Sequence, residues 1–290
     1  MDATETVACA HPRPYGGACF ALLSMHGKAA AVAHPLKSVL DAGLLVVEDF
    51  DTDMLGTFTR DVPRTGSQRE AAMRKARIAV ERSGLSLGLG SEGAFGPGPL
   101  GIGSWNAELV ACVDRARGIE VVGCAHGPGL HVHGRASSPG ELRELAALAR
   151  FPSHGLVVRP DCDTDPRIRK GIMSWADLDA AFSEAVARSA TGAAFIESDL
   201  RAHVHPSRMA MIGRAAADLV ERLSTPCPGC GCPGFGARES VPGLPCAQCG
   251  FPTAQPVGTL FGCVRCECRE LRHDSTAAHA DPGACESCNP

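Results

Sequence analysis

The sequence predicts an α/β domain, a mixed sheet flanked by helices, over residues 15–223, followed by a small metal-stapled module over 225–290. Three observations carry this reading. Between 15 and 223, short apolar runs alternate with amphipathic stretches, the pattern of strands and helices packed in layers. Ten of the fifteen cysteines then fall in the last quarter of the chain, eight of them as four Cys-x-x-Cys pairs: Cys227/Cys230, Cys246/Cys249, Cys263/Cys266 and Cys285/Cys288. Each such turn presents two thiolates on one side of a loop, half of a tetrahedral zinc site, so four pairs predict two four-cysteine sites in a double zinc ribbon. Finally, the segments between the pairs are short, rich in Gly and Pro and poor in large apolar residues, so the module needs such staples to fold.

Taken in order, residues 17–24 form a compact apolar run, read as the first strand, with a turn at His26-Gly27 and a weaker helical stretch to Leu40. Residues 44–47 read as a second strand opening into an acidic loop. The clearest helix spans 68–82: Ser67 and Glu70 form a capping box, and Ala72, Met73, Ala76, Ala79 and Val80 share one apolar face. A strand at 85–89 is expected to run into a Gly/Pro-rich loop over 90–103, and 109–113 with 119–122 reads as a hairpin. Ser138-Pro139 opens a helix to 150, with Pro at its first position. Strands at 156–158 and 193–196 flank a helix over 174–189, and a long helix over 206–223 closes the domain.

Bulk properties narrow the function. A formal net charge of -4 argues against a nucleic-acid coat, and one Tyr, two Trp and ten Phe are too few for a base-stacking platform. There is no apolar run of about 18 residues, so no membrane span is expected. The Met-Asp-Ala-Thr-Glu start lacks the basic and apolar regions of an export signal, which predicts a cytoplasmic chain whose thiols stay reduced and favour metal over disulfide.

Polar clusters gather where strands end, the place open α/β sheets use for ligands. Ser24-Met-His-Gly-Lys28 can bring backbone N–H groups and one ammonium to a phosphate. Thr65-Gly-Ser67 precedes a helix N-terminus, a ready anion site, although capping alone accounts for Glu70 and Lys75 reads equally as a solvated helix residue. Glu92 stands between glycines at a strand end, where a ligand or metal can approach the backbone closely. Asp49, Asp51 and Asp53 alternate in a loop that could hold Mg²⁺ or be an ordinary exposed turn. The segment 197–208 packs Asp199, Arg201, His203, His205 and Arg208 into one connection, more charge and proton-transfer capacity than capping requires.

Phe50-Asp-Thr-Asp-Met-Leu-Gly-Thr-Phe, Ser91-Glu-Gly-Ala-Phe-Gly-Pro, Asp199-Leu-Arg-Ala-His and the terminal cysteine pairs together resemble an uncharacterised bacterial family of unknown function, over nearly the whole chain. A more distant likeness covers about residues 17–125. Thr65-Gly-Ser-Gln-Arg-Glu-Ala-Ala-Met-Arg-Lys-Ala76 is similar to the helix motif of inosine/xanthosine triphosphate pyrophosphatases. That resemblance implies their fold, a Mg²⁺-holding role for Glu70 and phosphate contacts from Lys75 and Lys28. It also departs from the family: the Asn after the Glu is Ala71, and the paired aspartates of the next motif are replaced by Gly90-Ser-Glu92. Glu92-Gly93 is closer to the Glu-Gly of the divergent inosine/xanthosine triphosphatase branch.

The resulting expectation is a Mg²⁺-dependent hydrolase of a nucleoside triphosphate or related phosphorylated small molecule. Glu92, Glu70, Asp199 and His203 are the catalytic candidates; Lys28, Thr65, Ser67, Lys75, Arg201, Arg208, Asp51 and Asp53 are the binding candidates. The alternative is a non-catalytic nucleotide sensor whose zinc ribbons dock on nucleic acid or protein. For the zinc ligands, the simplest assignment joins Cys227/Cys230 to Cys246/Cys249 and Cys263/Cys266 to Cys285/Cys288. Spacing also allows an interleaved assignment, and Cys232 or Cys268 could stand in for a neighbour.

Overall fold

Residue alternation and two glycine-mediated close approaches shape the first unit, Tyr15–Val220, in this computed structural model, which describes residues 14–25, 27–55, 66–273 and 278–290. The strands β1 (Cys19–Leu23) and β2 (Gly43–Val47) are parallel neighbours, linked by α1 (Ala29–Pro35) and a π-turn at Leu36–Leu40. The chain then passes through a 3-10 turn, Thr52–Leu55, and α2 (Gln68–Ser83) into β3 (Leu87–Pro97). β3 lies parallel to β1 and antiparallel to β4 (Ser104–Asp114), which pairs antiparallel with β5 (Ile119–Gly129). The sheet order is β2-β1-β3-β4-β5.

The expected loop over 90–103 is instead largely strand: β3 continues through Glu92 to Pro97 and pairs residue by residue with β4. Its glycines serve packing rather than turning. A Cβ at Gly88 or Gly90 would lie 2.1 Å from the carbonyl oxygen of Ala76 or Ala72, so α2 rests directly on the strand backbone. On the opposite face Gly123 of β5 does the same for the last helix of the unit, α5 (Pro206–Ser224), with a would-be Cβ 2.3 Å from Ala215 O. The hairpin is also longer than expected, eleven residues on each strand.

A second sheet, which the sequence pattern does not separate from the first, is antiparallel throughout: β6 (His133–Ala136), β9 (Ala194–Ser198), β7 (Leu156–Pro160) and β8 (Arg169–Ile172), in that spatial order. Helices α3 (Pro139–Leu148) and α4 (Trp175–Ala187) pack on it around Leu142, Leu156, Val158, Leu178 and Ile196. Both helices start on serine caps, Ser138 in a full capping box with Glu141 and Ser174 accepting from Asp177 N–H. No helix among the described residues is long and apolar enough to cross a membrane.

The second unit, Glu221–Pro290, holds one three-stranded antiparallel sheet, β10 (Gly236–Pro242), β11 (Pro256–Gly262) and β12 (Arg269–His273). Within this unit Arg222 donates to Ala237 O at 2.7 Å, which fixes the start of β10.

Candidate functional site

In the second unit, strand register decides which cysteines meet. Gly236 of β10 pairs with Gly262 of β11, so the Cys227/Cys230 turn that precedes β10 lies beside the Cys263/Cys266 turn that follows β11. β12 then runs back along β11 to His273, opposite Gly258, which returns the chain to the other end of the sheet. There Cys246, in the β10–β11 connection, bridges to Ala280, next to the Cys285/Cys288 turn. The clusters are therefore Cys227, Cys230, Cys263, Cys266 and Cys246, Cys249, Cys285, Cys288. This corrects the neighbour-to-neighbour assignment; the interleaved one holds.

Within the clusters the closest cross-turn sulfur pairs are 3.6–3.8 Å apart. A regular tetrahedron with metal–sulfur bonds of about 2.3 Å has edges of about 3.8 Å, so both sets fit a zinc-sized ion. Backbone N–H groups of Cys249 and Gln248 pull the Cys246 thiol down, while its sulfur neighbours push the Cys288 thiol of the same cluster up, so the four thiols share their protons.

In the first unit the predicted groups converge at the point where β1 stops and β3 continues. Leu23 of β1 pairs with Gly90, and beyond it β3 has no β1 partner. Lys28, buried at the start of α1, reaches this edge and donates to Ser91 O at 3.3 Å and toward Ser91 Oγ at 3.5 Å. Burial, then the nearby Arg208 and Lys75 charges, lowers its pKa to about 7. On the α2 face, buried Lys75 meets buried Glu92 at 2.5 Å. On the α5 face, Arg208 meets Glu108 at 2.5 Å and also donates to Leu200 O. Lys28 thus lies within electrostatic reach of both ion pairs, Lys75–Glu92 and Arg208–Glu108.

The remaining candidates divide. Ser67 and Glu70 are exposed and close the capping box on each other, while neighbouring Gln68 clips the start of α2 to Glu92 O and Ala107 O at 2.9 Å each. Backbone and side-chain hydrogen bonds from Ser67 hold Glu70 below the usual carboxylate range. His203, exposed on the 3-10 turn Ala202–Val204, comes to the Lys28 turn: its Cβ is 3.9 Å from where a Gly27 Cβ would sit. Asp199 is fully buried and clamped by the Arg201 guanidinium and backbone and by Gly171 N–H; burial alone would raise its pKa, and these bonds bring it below normal. Asp51 is exposed, Asp53 lies in the 3-10 turn after β2, and Thr65 falls outside the described residues.

Two residues of this centre, Glu108 and Asn106, escape the sequence reading, while His205, singled out there with its charged neighbours, takes a positioning part. Glu108 and Asn106 occupy the buried phase of β4 together with Val110, Cys112 and Asp114, and alternation along the strand is the signal that could have found a buried acid there. His205 accepts Arg208 N–H on Nδ1 and donates through Nε2 to Leu130 O; burial first of all pushes it down to about 4, so it is neutral and orients the start of α5.

The donor set does not fit a resident Mg²⁺. Among the described residues Glu92 and Glu108 are each paired with a cation, Glu70 is spent on its cap, and protonated Lys28 adds a third cation beside those two carboxylates. Among the described residues, the only clusters with metal-ligand geometry are the two cysteine sets. The centre suits an anion, including one that carries its own divalent ion.

In comparisons with known proteins, no curated protein and no solved structure matches the chain. The segment 75–290, which contains Lys75, Glu92, Glu108, Arg208 and all eight clustered cysteines, matches the family described as Domain of unknown function (DUF6671), and the chain belongs to that family.

Proposed function

We propose that the first unit takes a phosphorylated small molecule, a nucleoside triphosphate or a close relative, at the β1–β3 edge and hydrolyses it, and that the second unit is a zinc ribbon with two structural zinc ions. The observation that carries the first half is Lys28. Among the described residues, this buried ammonium bonds only to the hydroxyl and carbonyl of Ser91, with no carboxylate of its own. Nearby, Ser24 Oγ is buried without a partner at the end of β1. An incoming phosphate supplies the charge and the acceptors that both lack.

On this reading Lys28 and Lys75 neutralise charge growing on the phosphoryl oxygens. As phosphate draws Lys75 toward itself, Glu92 orients a water and accepts its proton. Mg²⁺ would arrive on the substrate's phosphates and supply further charge neutralisation there.

The test uses the full chain with canonical and deaminated nucleoside triphosphates, with and without Mg²⁺, following pyrophosphate and phosphate release. Turnover should fall at least about 100-fold in Glu92→Gln, and Lys28→Met should weaken binding. Saturable binding without turnover above Glu92→Gln leaves a nucleotide sensor. Absence of both rejects the site.

A further inference from the structure

The two cysteine clusters are not equivalent. Only the turns of the first carry a third cysteine, in Cys227-Pro-Gly-Cys-Gly-Cys232 and Cys263-Val-Arg-Cys-Glu-Cys268. In the second cluster the corresponding positions are Phe251 and Pro290. Cys268 is packed across the cluster against the opposite turn. Its Sγ is 3.4 Å, and that of Cys227 is 3.8 Å, from the point where Gly229 would bear a Cβ, so both sulfurs border the same small gap. Gly229 is what makes room: Gln248, Arg265 and Ser287 stand at that position in the other three turns.

Access differs as well. A polar cavity of about 530 Å³ is lined by Cys263, Cys266 and Cys268 together with Arg238, Arg265 and Arg269. Two of the four sulfur ligands of the second cluster, Cys246 and Cys285, are buried; in the first only Cys227 is.

We propose that the first cluster is an oxidant-responsive metal site in which Cys268 takes up a hydroperoxide and Cys227 resolves it, releasing the metal, while the second cluster holds its metal. The inference rests on both clusters carrying metal. The Cys268 sulfur attacks the outer peroxide oxygen, the O–O bond breaks, and the thiol proton leaves with the departing oxygen as water or alcohol. Cys268 is then a sulfenic acid. The Cys227 thiolate attacks that sulfur, an S–S bond forms, and hydroxide departs. Two sulfurs have each given up one electron to the peroxide, and the metal has lost one of four ligands.

The experiment begins by measuring zinc per chain in the reduced full-length protein. It then adds hydrogen peroxide with a chromophoric zinc chelator and maps disulfides by mass spectrometry. One of the two zinc equivalents should appear at least about tenfold faster than the other, together with a Cys227–Cys268 disulfide, and dithiothreitol plus zinc should restore the starting content. Cys268→Ser and Gly229→Ala, the latter keeping every thiol but crowding Cys268, should both slow that release by a similar factor. Loss of both metals at one rate, or unchanged release in both variants, overturns the proposal. A reduced chain that holds no zinc at all fails the metal reading instead, which the first measurement reports separately.

Discussion

Lys28 sets the behaviour of the proposed phosphate-binding centre through its protonation. Its folded-state pKa of about 7 lies far below the ordinary lysine value of 10.5, with burial as the largest cause. An anion needs the ammonium, so above about pH 7 binding must bring a proton with it. Affinity should then fall by up to about tenfold per pH unit until the complex itself deprotonates. Calorimetry in buffers of different ionisation heat should register uptake approaching one proton near pH 8, and Lys28→Met should abolish both the uptake and the slope. The stability sign runs the other way. Between about pH 7 and 10.5 the unfolded chain binds more protons than the folded one, so stability rises with pH across that window and the burial penalty is complete below it. Lys28→Met should therefore unfold at equal or higher denaturant at pH 7 while losing anion binding, a pattern no purely structural lysine would give.

Elements explain what the sequence disclosed and what it hid. Helix α2 was readable because Ser67 and Glu70 satisfy each other locally, and the observed Gln68–Ser83 begins where the capping box places it. Its companion β3 reads as a loop beyond residue 89 because Gly90, Gly93, Gly96 and Pro97 look like turn chemistry. The reason for Gly90 is a helix backbone that arrives from elsewhere in the chain, a constraint with no local signature. The Arg208–Glu108 pair was hidden in the same way, its partners being 100 residues apart. Packing gives a direct check. Gly90→Ala puts a methyl group 2.1 Å from Ala72 O and should cost roughly 2–3 kcal/mol, read from the urea midpoint of the first unit. Gly96→Ala on the same strand meets nothing within 4 Å and should stay within about 0.5 kcal/mol. Equal effects at the two positions would mean that strand propensity, not helix contact, selects these glycines.

At the scale of the molecule, the two units draw on different sources of stability. The first has large apolar clusters under both sheets, with Leu22, Leu89, Leu156 and Ile196 fully buried. The second is about 70 residues long, β12 is exposed along its length, and among the described residues its buried apolar side chains are few: Leu223, Phe235, Leu244, Ala280 and the cysteines Cys227, Cys232, Cys246 and Cys285. A core that small seldom supplies more than about 3–5 kcal/mol, and on the proposed reading metal held by the two cysteine clusters provides the rest. Cysteine count and spacing disclosed this dependence, while the pairing stayed hidden because a Cys-x-x-Cys turn carries no mark of its partner and only the Gly236–Gly262 register supplies one. Reduced, untreated protein should contain about two zinc per chain. Stripping it with a strong chelator under reducing conditions should melt the second unit alone, with limited proteolysis trimming the chain to a fragment near 15–220 that keeps its helical circular dichroism. Readdition of zinc should restore protease resistance. A single cooperative collapse of both units on chelation would show instead that the α/β unit also leans on the metal, and that the boundary near residue 220 is one of contacts rather than of folding.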